Sequence, residues 1–246
     1  MITEKHPVLY SYRRCPYAMR ARMTIYLSQI QVEQREIVFW DKPQAMLQAS
    51  PKGTVPVLVL PDGAVIDESR DIMLWAFNNS TDKSIYQAWL FAKDTQEMMS
   101  INAWIDQCDN EFKPILDRYK YADRFPENLP SDYRELGCEF LQDVESSLKQ
   151  ISFEHQVVQY VLVGDRFSLA DIAIFPFIRQ FVNVDKNWFH NADYPRLKLW
   201  LQALLDSSFF KEIMKNRPVW QVGHKPLWLN EPSLTTRNEF TEKACF

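Results

Sequence analysis

Residues 8–77 alternate short β-rich runs with helical ones, and this alternation limits the possible folds more than any other feature of the chain. Val8–Tyr12 is a short β-rich run, and after Pro16 the stretch Tyr17–Leu27 (YAMRARMTIYL) has good helix formers with apolar residues near helical spacing. Glu36–Trp40 reads as a second strand, Lys42–Ala49 as a short helix stopped before Pro51 and Gly53, and Val55–Leu60 as a third strand. Pro61-Asp62-Gly63-Ala64 is turn chemistry leading into Val65–Asp67, and Ser69–Phe77 closes the unit as a helix.

The resulting order, β-α-β-α-β-β-α, is thioredoxin-like. The polar connector Thr81–Ser84 marks a domain boundary, giving an α/β domain over residues 1–80 and a second domain over 85–246. Beyond the connector no alternation of period two is evident. Ile85–Cys108, Asp132–Ile151, Leu169–Val184 and Pro195–Leu205 carry helical periodicity, so the second domain is predicted to be all-α. Pro126 and Pro130 break the chain between the first two of these. From Arg217 onward, Pro218, Pro226 and Pro232 predict an extended tail packed through Trp220, Leu227 and Trp228 and fraying at its end. The 16 Phe, 10 Tyr and 8 Trp point to aromatic-rich helix packing.

A net charge of −4 supplies no basic field to recruit nucleic acid, and no apolar run reaches the ~20 residues of a membrane helix. The opening MITEKHPVLYSY lacks the pattern of a secretory signal, so a cytoplasmic location is expected. Cys15, Cys108, Cys138 and Cys245 are scattered without the spacing of a disulfide framework. His6, His155, His190 and His224 pair neither with one another nor with a cysteine, and no metal site is expected. The phosphate-loop, dinucleotide-binding and common hydrolase signatures do not occur.

Three motifs carry chemistry. In Arg13-Arg14-Cys15-Pro16-Tyr17-Ala18, the cysteine stands where a helix begins. The positive end of the helix dipole and the unpaired N–H groups there favour a thiolate, and Arg13, Arg14, Arg20 and Arg22 add positive charge nearby. The alternative is an inert cysteine in a tight turn. Ala18 occupies the position of a second, resolving cysteine, so a disulfide on Cys15 needs an external thiol. In Val55-Pro56-Val57, a proline enters a strand. Either a cis bond turns the preceding backbone outward toward a peptide-like ligand, or a trans proline sits at a strand edge. In Asp67-Glu68-Ser69-Arg70-Asp71, Ser69 suits a helix cap, and the same helix start beside an acid suits the carboxylate and ammonium of an α-amino acid.

These residues resemble the cysteine-type glutathione S-transferases, closest to the omega class and the two-domain glutaredoxins. The likeness runs through RRCPYAMRARM, DKP, PKGTVPVLVLPDG and ESRDI, and more weakly through Phe167-Ser168-Leu169-Ala170-Asp171-Ile172. It implies a first domain that binds glutathione as co-substrate and a helical second domain that forms a pocket for the other substrate. Trp104 and Phe177 are candidates for that lining, with plain helical core as the alternative. By this resemblance Cys15 forms a mixed disulfide with glutathione and Lys42 approaches the glycine carboxylate. Val55, held by cis-Pro56, bonds the cysteinyl backbone, while Glu68 and Ser69 hold the γ-glutamyl ammonium and carboxylate. Ser168 and Asp171 match a helix-capping box, which is structural. A homodimer is also implied.

The expected activity is glutathione-dependent thiol transfer or reduction, on a mixed disulfide, a glutathionyl adduct or dehydroascorbate. Conjugation of glutathione to small electrophiles is the enzymatic alternative, and it needs a hydroxyl where Cys15 stands. A non-catalytic binding protein of the same fold is the third reading; the joint presence of Cys15, Pro56, Glu68 and Ser69 weighs against it.

Overall fold

A computed structural model describes residues 6–91, 95–152 and 158–230. His155, Pro232 and Cys245 lie outside the described residues, as does the end of the tail. The chain forms two compact units, one of residues up to Asp82 together with the chain from Ser208 onward, the other Lys83–Ser207.

The first unit contains strands β1 (Val8–Ser11), β2 (Glu33–Glu36), β3 (Val57–Val59) and β4 (Val65–Ile66) and helices α1 (Pro16–Ser28), α2 (Gln44–Ala49) and α3 (Ser69–Asn78). The sheet order is β2-β1-β3-β4, with β2 parallel to β1 and the other neighbours antiparallel. This is the expected thioredoxin-like unit. Because side chains alternate across a strand, Leu9 and Leu58 face one side with Ala21 and Ile25 of α1 and Ile72 and Ala76 of α3. Val8, Tyr10 and Val57 face the other with Met46 of α2, Ala18 and, at the margin, Cys15.

The second strand departs from the sequence reading. It is Glu33–Glu36, four polar residues and all buried, whereas Val38 and Asp41 bridge across a tight turn that leaves Trp40 75% exposed. The polar strand is buried because its charges satisfy one another. Arg35 pairs with Glu33 through two N–H···O contacts of 2.7 and 3.2 Å, donates to Tyr10 Oη at 3.0 Å, and lies 4.5 Å from the centroid of the Trp220 ring.

Trp220 belongs to the tail, which groups with the first unit although the division at Asp82 falls within the connector Thr81–Ser84. The chain after Ser207 does not stay with the helical unit. The helix Ser208–Ile213 packs on α1, the backbone N–H of Trp220 donates to Glu36 O at 2.8 Å, and that of Leu229 to Val32 O at 3.0 Å. Tail residues thus cover the free edge of β2, with Glu33 bridging Trp228.

The second unit contains α4 (Lys83–Trp89), α5 (Gln96–Gln107), α6 (Lys113–Lys120), α7 (Pro130–Ser147), α8 (Leu169–Val182), α9 (Lys186–Asn191) and α10 (Pro195–Asp206); α11 (Ser208–Ile213) follows in the first unit. A π-helical turn, Cys108–Phe112, joins α5 to α6. Among its described residues the unit is helical apart from an antiparallel strand pair, β5 (Lys149–Ser152) with β6 (Val158–Val161), whose strands are too short to leave a period-two pattern. At the start of α8, Asp171 accepts from Ser168 N–H (2.8 Å) and Oγ–H (2.9 Å), from Leu162 N–H (3.1 Å) and from Trp200 Nε1–H (2.8 Å). The Ser168–Asp171 capping box is therefore also the joint between α8, β6 and α10. Phe177 is fully buried core, while Trp104 lines a cavity of about 780 Å³ walled entirely by helical-unit residues, among them Tyr160 and Arg196.

Candidate active site

Helix α1 opens on Cys15, whose extended backbone (φ −74°, ψ 123°) makes it the N-cap, with Pro16 as the first helical residue. Its carbonyl already accepts from Met19 N–H at 2.8 Å, and its own N–H donates to Tyr12 O at 3.1 Å. The thiol therefore stands at the positive end of a thirteen-residue helix. Cys15 is half-buried, and its Sγ contacts Val55 O at 3.6 Å. The Val55–Pro56 peptide is cis. Two motifs far apart in sequence thus meet at one sulfur. Ala18, one helical turn on, is buried.

The loop of residues 50–56 gathers the other candidates. Lys52 Nζ donates to Glu68 Oε1 at 2.7 Å and Asp67 Oδ1 at 3.1 Å, and Ser50 Oγ donates to Asp67 Oδ2 at 2.7 Å. The Ser50 hydroxyl, and after it Lys52, hold Asp67 below the usual carboxylate range. Glu68 first and Asp67 second raise the Lys52 ammonium above its ordinary value. Gly53, at φ +63°, lies beside Lys42: a Cβ on it would sit 3.4 Å from Lys42 Nζ. Cys15, Lys42, Val55, Pro56 and Glu68 are thus all connected through this loop.

Ser69 differs from its reading as a helix cap. Glu68 is the N-cap of α3, without a side-chain capping bond, and Ser69 is the first helical residue. Its buried hydroxyl accepts from Arg20 Nε at 3.0 Å, because α1 and α3 pack side by side and bring that guanidinium under the start of α3. With Oγ already accepting, the Ser69 O–H and the free N–H groups of the first turn remain as donors for a carboxylate.

Arg20, Arg22, Ser50 and Lys52 were not singled out from sequence as contacts of the site. From sequence, Arg20 and Arg22 read only as nearby charge, yet both are almost wholly buried. The signal was their spacing: two residues apart on a helix whose remaining surface is apolar or small, at least one had to enter the core. Nothing in the spacing of Ser50 or Lys52 foretold that both would reach Asp67.

Chemically, the arrangement offers a thiol at a helix N-terminus, the Val55 carbonyl beside it, an exposed acid at Glu68 and a helix start at Ser69 suited to an anion. Those groups complement a peptide-like ligand with an α-amino-acid end and a thiol. Among the described residues no group of three or more His, Cys, Asp or Glu is placed to hold a metal ion.

Residues 9–84 match the family model of the glutathione S-transferase N-terminal domain, and residues 139–203 that of the C-terminal domain. Pig glutathione S-transferase omega-1 is 24% identical over 198 residues, covering 80% of this chain and 76% of that protein. Among solved structures, glutathione transferase Omega 3C from Trametes versicolor superposes with a TM-score of 0.68 at 19% identity, over 87% of this chain and 91% of that one. The transferase URE2P8 from Phanerochaete chrysosporium, solved with oxidised glutathione, gives 0.70 at 16% identity, over 87% and 95%. With both domain models matched in order and the fold shared, the chain belongs to the glutathione S-transferase family.

Proposed function

We propose that this protein is a glutathione-dependent thiol transferase that works through Cys15 alone. The observation that carries the reading is the position of Cys15 Sγ: at the N-cap of α1 and 3.6 Å from the carbonyl of the cis Val55–Pro56 bond. The Cys15 thiolate attacks the glutathione sulfur of a mixed disulfide. A Cys15–glutathione disulfide forms, the original S–S bond breaks, and the substrate leaves as a thiolate that takes a proton from water. A second glutathione thiolate then attacks the glutathionyl sulfur, giving oxidised glutathione and restoring the Cys15 thiolate. Ala18 cannot intercept this intermediate, so the second glutathione is obligatory.

In this reading Lys42 attracts the glycine carboxylate and the backbone of Val55 pairs with the cysteinyl residue. Glu68 takes the γ-glutamyl ammonium and the start of α3 at Ser69 takes its carboxylate. Lys52 occupies the ammonium's place on Glu68 when no ligand is bound, and both side chains are exposed enough to exchange. The family resemblance extends the proposal to a cytoplasmic homodimer, for which sedimentation at micromolar concentration should give twice the 29.2 kDa chain mass. Dehydroascorbate reduction is a further expected activity: two glutathiones supply its two electrons and leave as oxidised glutathione, the second displacing the first from the Cys15 mixed disulfide.

The test is Cys15→Ser. Thiol transfer from a glutathionylated substrate should disappear while calorimetric binding of glutathione persists. Incubation of the unsubstituted protein with oxidised glutathione should add one glutathionyl group, at Cys15, which excess reduced glutathione removes. Full transfer activity in Cys15→Ser would refute the mechanism; conjugation of small electrophiles by the unsubstituted protein without any transfer activity would assign the site to conjugation instead.

A further inference from the structure

Arg22 is fully buried in α1, two turns from the thiol, and its guanidinium serves the turn that delivers Cys15. One Nη donates to Ser11 Oγ and, at 3.2 Å, to Tyr12 O; the other donates to Arg13 O at 2.8 Å. Tyr12 O is the same carbonyl that receives Cys15 N–H, so the guanidinium and the cysteine backbone meet on one oxygen. Glu36, at the end of β2, completes the enclosure: its Oε1 accepts from Arg13 N–H at 2.5 Å and its Oε2 from Gln34 Nε2 at 3.2 Å. The carbonyl of Glu36 is itself held by Trp220 N–H from the tail.

An arginine is a costly way to hold three oxygens. Its Nε–H is buried without a partner, and burial draws its pKa down to about 10 against the opposing attraction of Glu36 and Cys15. It is therefore still charged at neutral pH. Neutral donors would tie a turn equally well; what the guanidinium adds is a permanent positive charge on the turn that leads into Cys15. The charged groups that interact with it are Glu36, Cys15, Arg217 from the tail and Arg13.

We propose that Arg22 is a positioning residue for Cys15, holding the turn of residues 11–13 and sustaining the thiolate, with Glu36 as the counter-charge that limits its effect. This rests on the thiol-transfer reading for its purpose, but its test reads the sulfur directly. Site-resolved alkylation of Cys15 by iodoacetamide, followed across pH by mass spectrometry of its peptide, needs neither glutathione nor a substrate. Failure of thiol transfer and failure of this proposal are thus separate results.

Arg22→Met should move the midpoint of the alkylation profile upward by about one unit and slow alkylation at pH 7 by about three- to tenfold, the larger figure applying where the midpoint already lies above 7. Arg22→Lys, which keeps the charge and loses the fork, should recover most of that rate. Glu36→Gln retains an acceptor for Arg13 N–H and removes the counter-charge, so it should move the midpoint downward. A purely structural role makes Arg22→Met and Glu36→Gln act in the same direction, because both loosen the same turn. Shifts of opposite sign support the proposal. An unmoved midpoint in Arg22→Met, or an unmoved or raised one in Glu36→Gln, overturns it. If Arg22→Met does not fold by circular dichroism, Glu36→Gln alone decides between the two.

Discussion

The starts of α1 and α8 solve the same problem with different chemistry. Each is organised around a buried carboxylate, Glu36 at 7% exposure and Asp171 at 0%. Burial raises both carboxyls above their ordinary values, Asp171 to about 6. Against that, Asp171 has four neutral donors fixed in space, whereas Glu36 has the charge of Arg22 before any hydrogen bond. Neutral donors suffice where the carboxylate has only geometry to maintain, joining β6, α8 and α10. A charged partner stands where a neighbour's ionisation matters, and that neighbour is Cys15.

The largest effect in this comparison should come from Asp171→Ala. It strands Ser168 N–H, Leu162 N–H and Trp200 Nε1–H in the core, and at about 1–3 kcal/mol for each orphaned group the loss should reach about 3 kcal/mol or more by denaturant midpoint. A loss below about 1 kcal/mol would show that water or a local shift replaces the carboxylate.

The start of α3 extends the comparison to a ligand. Ser69→Ala and Glu68→Ala should each weaken glutathione binding by about 1.5–3 kcal/mol, as expected for a charge-assisted contact, with Glu68 at the lower end because it is exposed. Unchanged affinity in both, by calorimetry, would move the amino-acid end of the ligand elsewhere.

A smaller effect follows from the titration of Asp171. Its folded pKa of about 6 lies above the unfolded value of about 3.9, so its contribution is fully present below the unfolded value and is lost as pH rises through 6. Relative to Asp171→Asn, which does not titrate, the unsubstituted protein should gain about 1 kcal/mol between pH 7 and pH 5. A constant difference across that range would mean that the four hydrogen bonds hold the carboxylate ionised throughout. The smallest effect belongs to Lys52→Ala. Its ion pairs with Asp67 and Glu68 are solvent-screened, so the melting midpoint should stay unchanged at 0.15 M salt. A clear drop would mark the 50–56 loop as a structural clasp and not an exchangeable one.

Much of this was legible in the sequence because the signals were local. Cys15-Pro16 at a helix start, Pro56 entering a strand and the Ser168–Asp171 box each fix their own conformation within a few residues, and the structure shows each of them. The second strand was misplaced because periodicity rewards apolar runs. Residues 37–40 are more apolar than Glu33–Glu36, yet the polar strand is the buried one, and its burial depends on Trp220, which lies far away in the chain. In sequence Ser69 has the look of a cap as well as of a ligand contact, because serine commonly caps helices. What displaced that role was Arg20, brought from another helix by packing. Long-range partners of this kind leave no periodic trace.

The return of residues 208–230 to the first unit has a consequence for the order in which the protein can be completed. The ribosome makes β1 to α3 first and the whole helical unit next, so the covering of β2 is made last. Until then the sheet ends in a strand whose outer backbone groups, at Val32 and Gln34, await Leu229 and Leu227. Its buried-to-be charges, Glu33 and Arg35, meanwhile remain in contact with water, without Trp220. The helical unit folding in the interval shortens the gap that the tail must close, since a compact insert costs less closure entropy than a loose chain. A chain that stops short of Val219 is thus a finished helical unit attached to a sheet with an open edge, a ready template for pairing with another such chain.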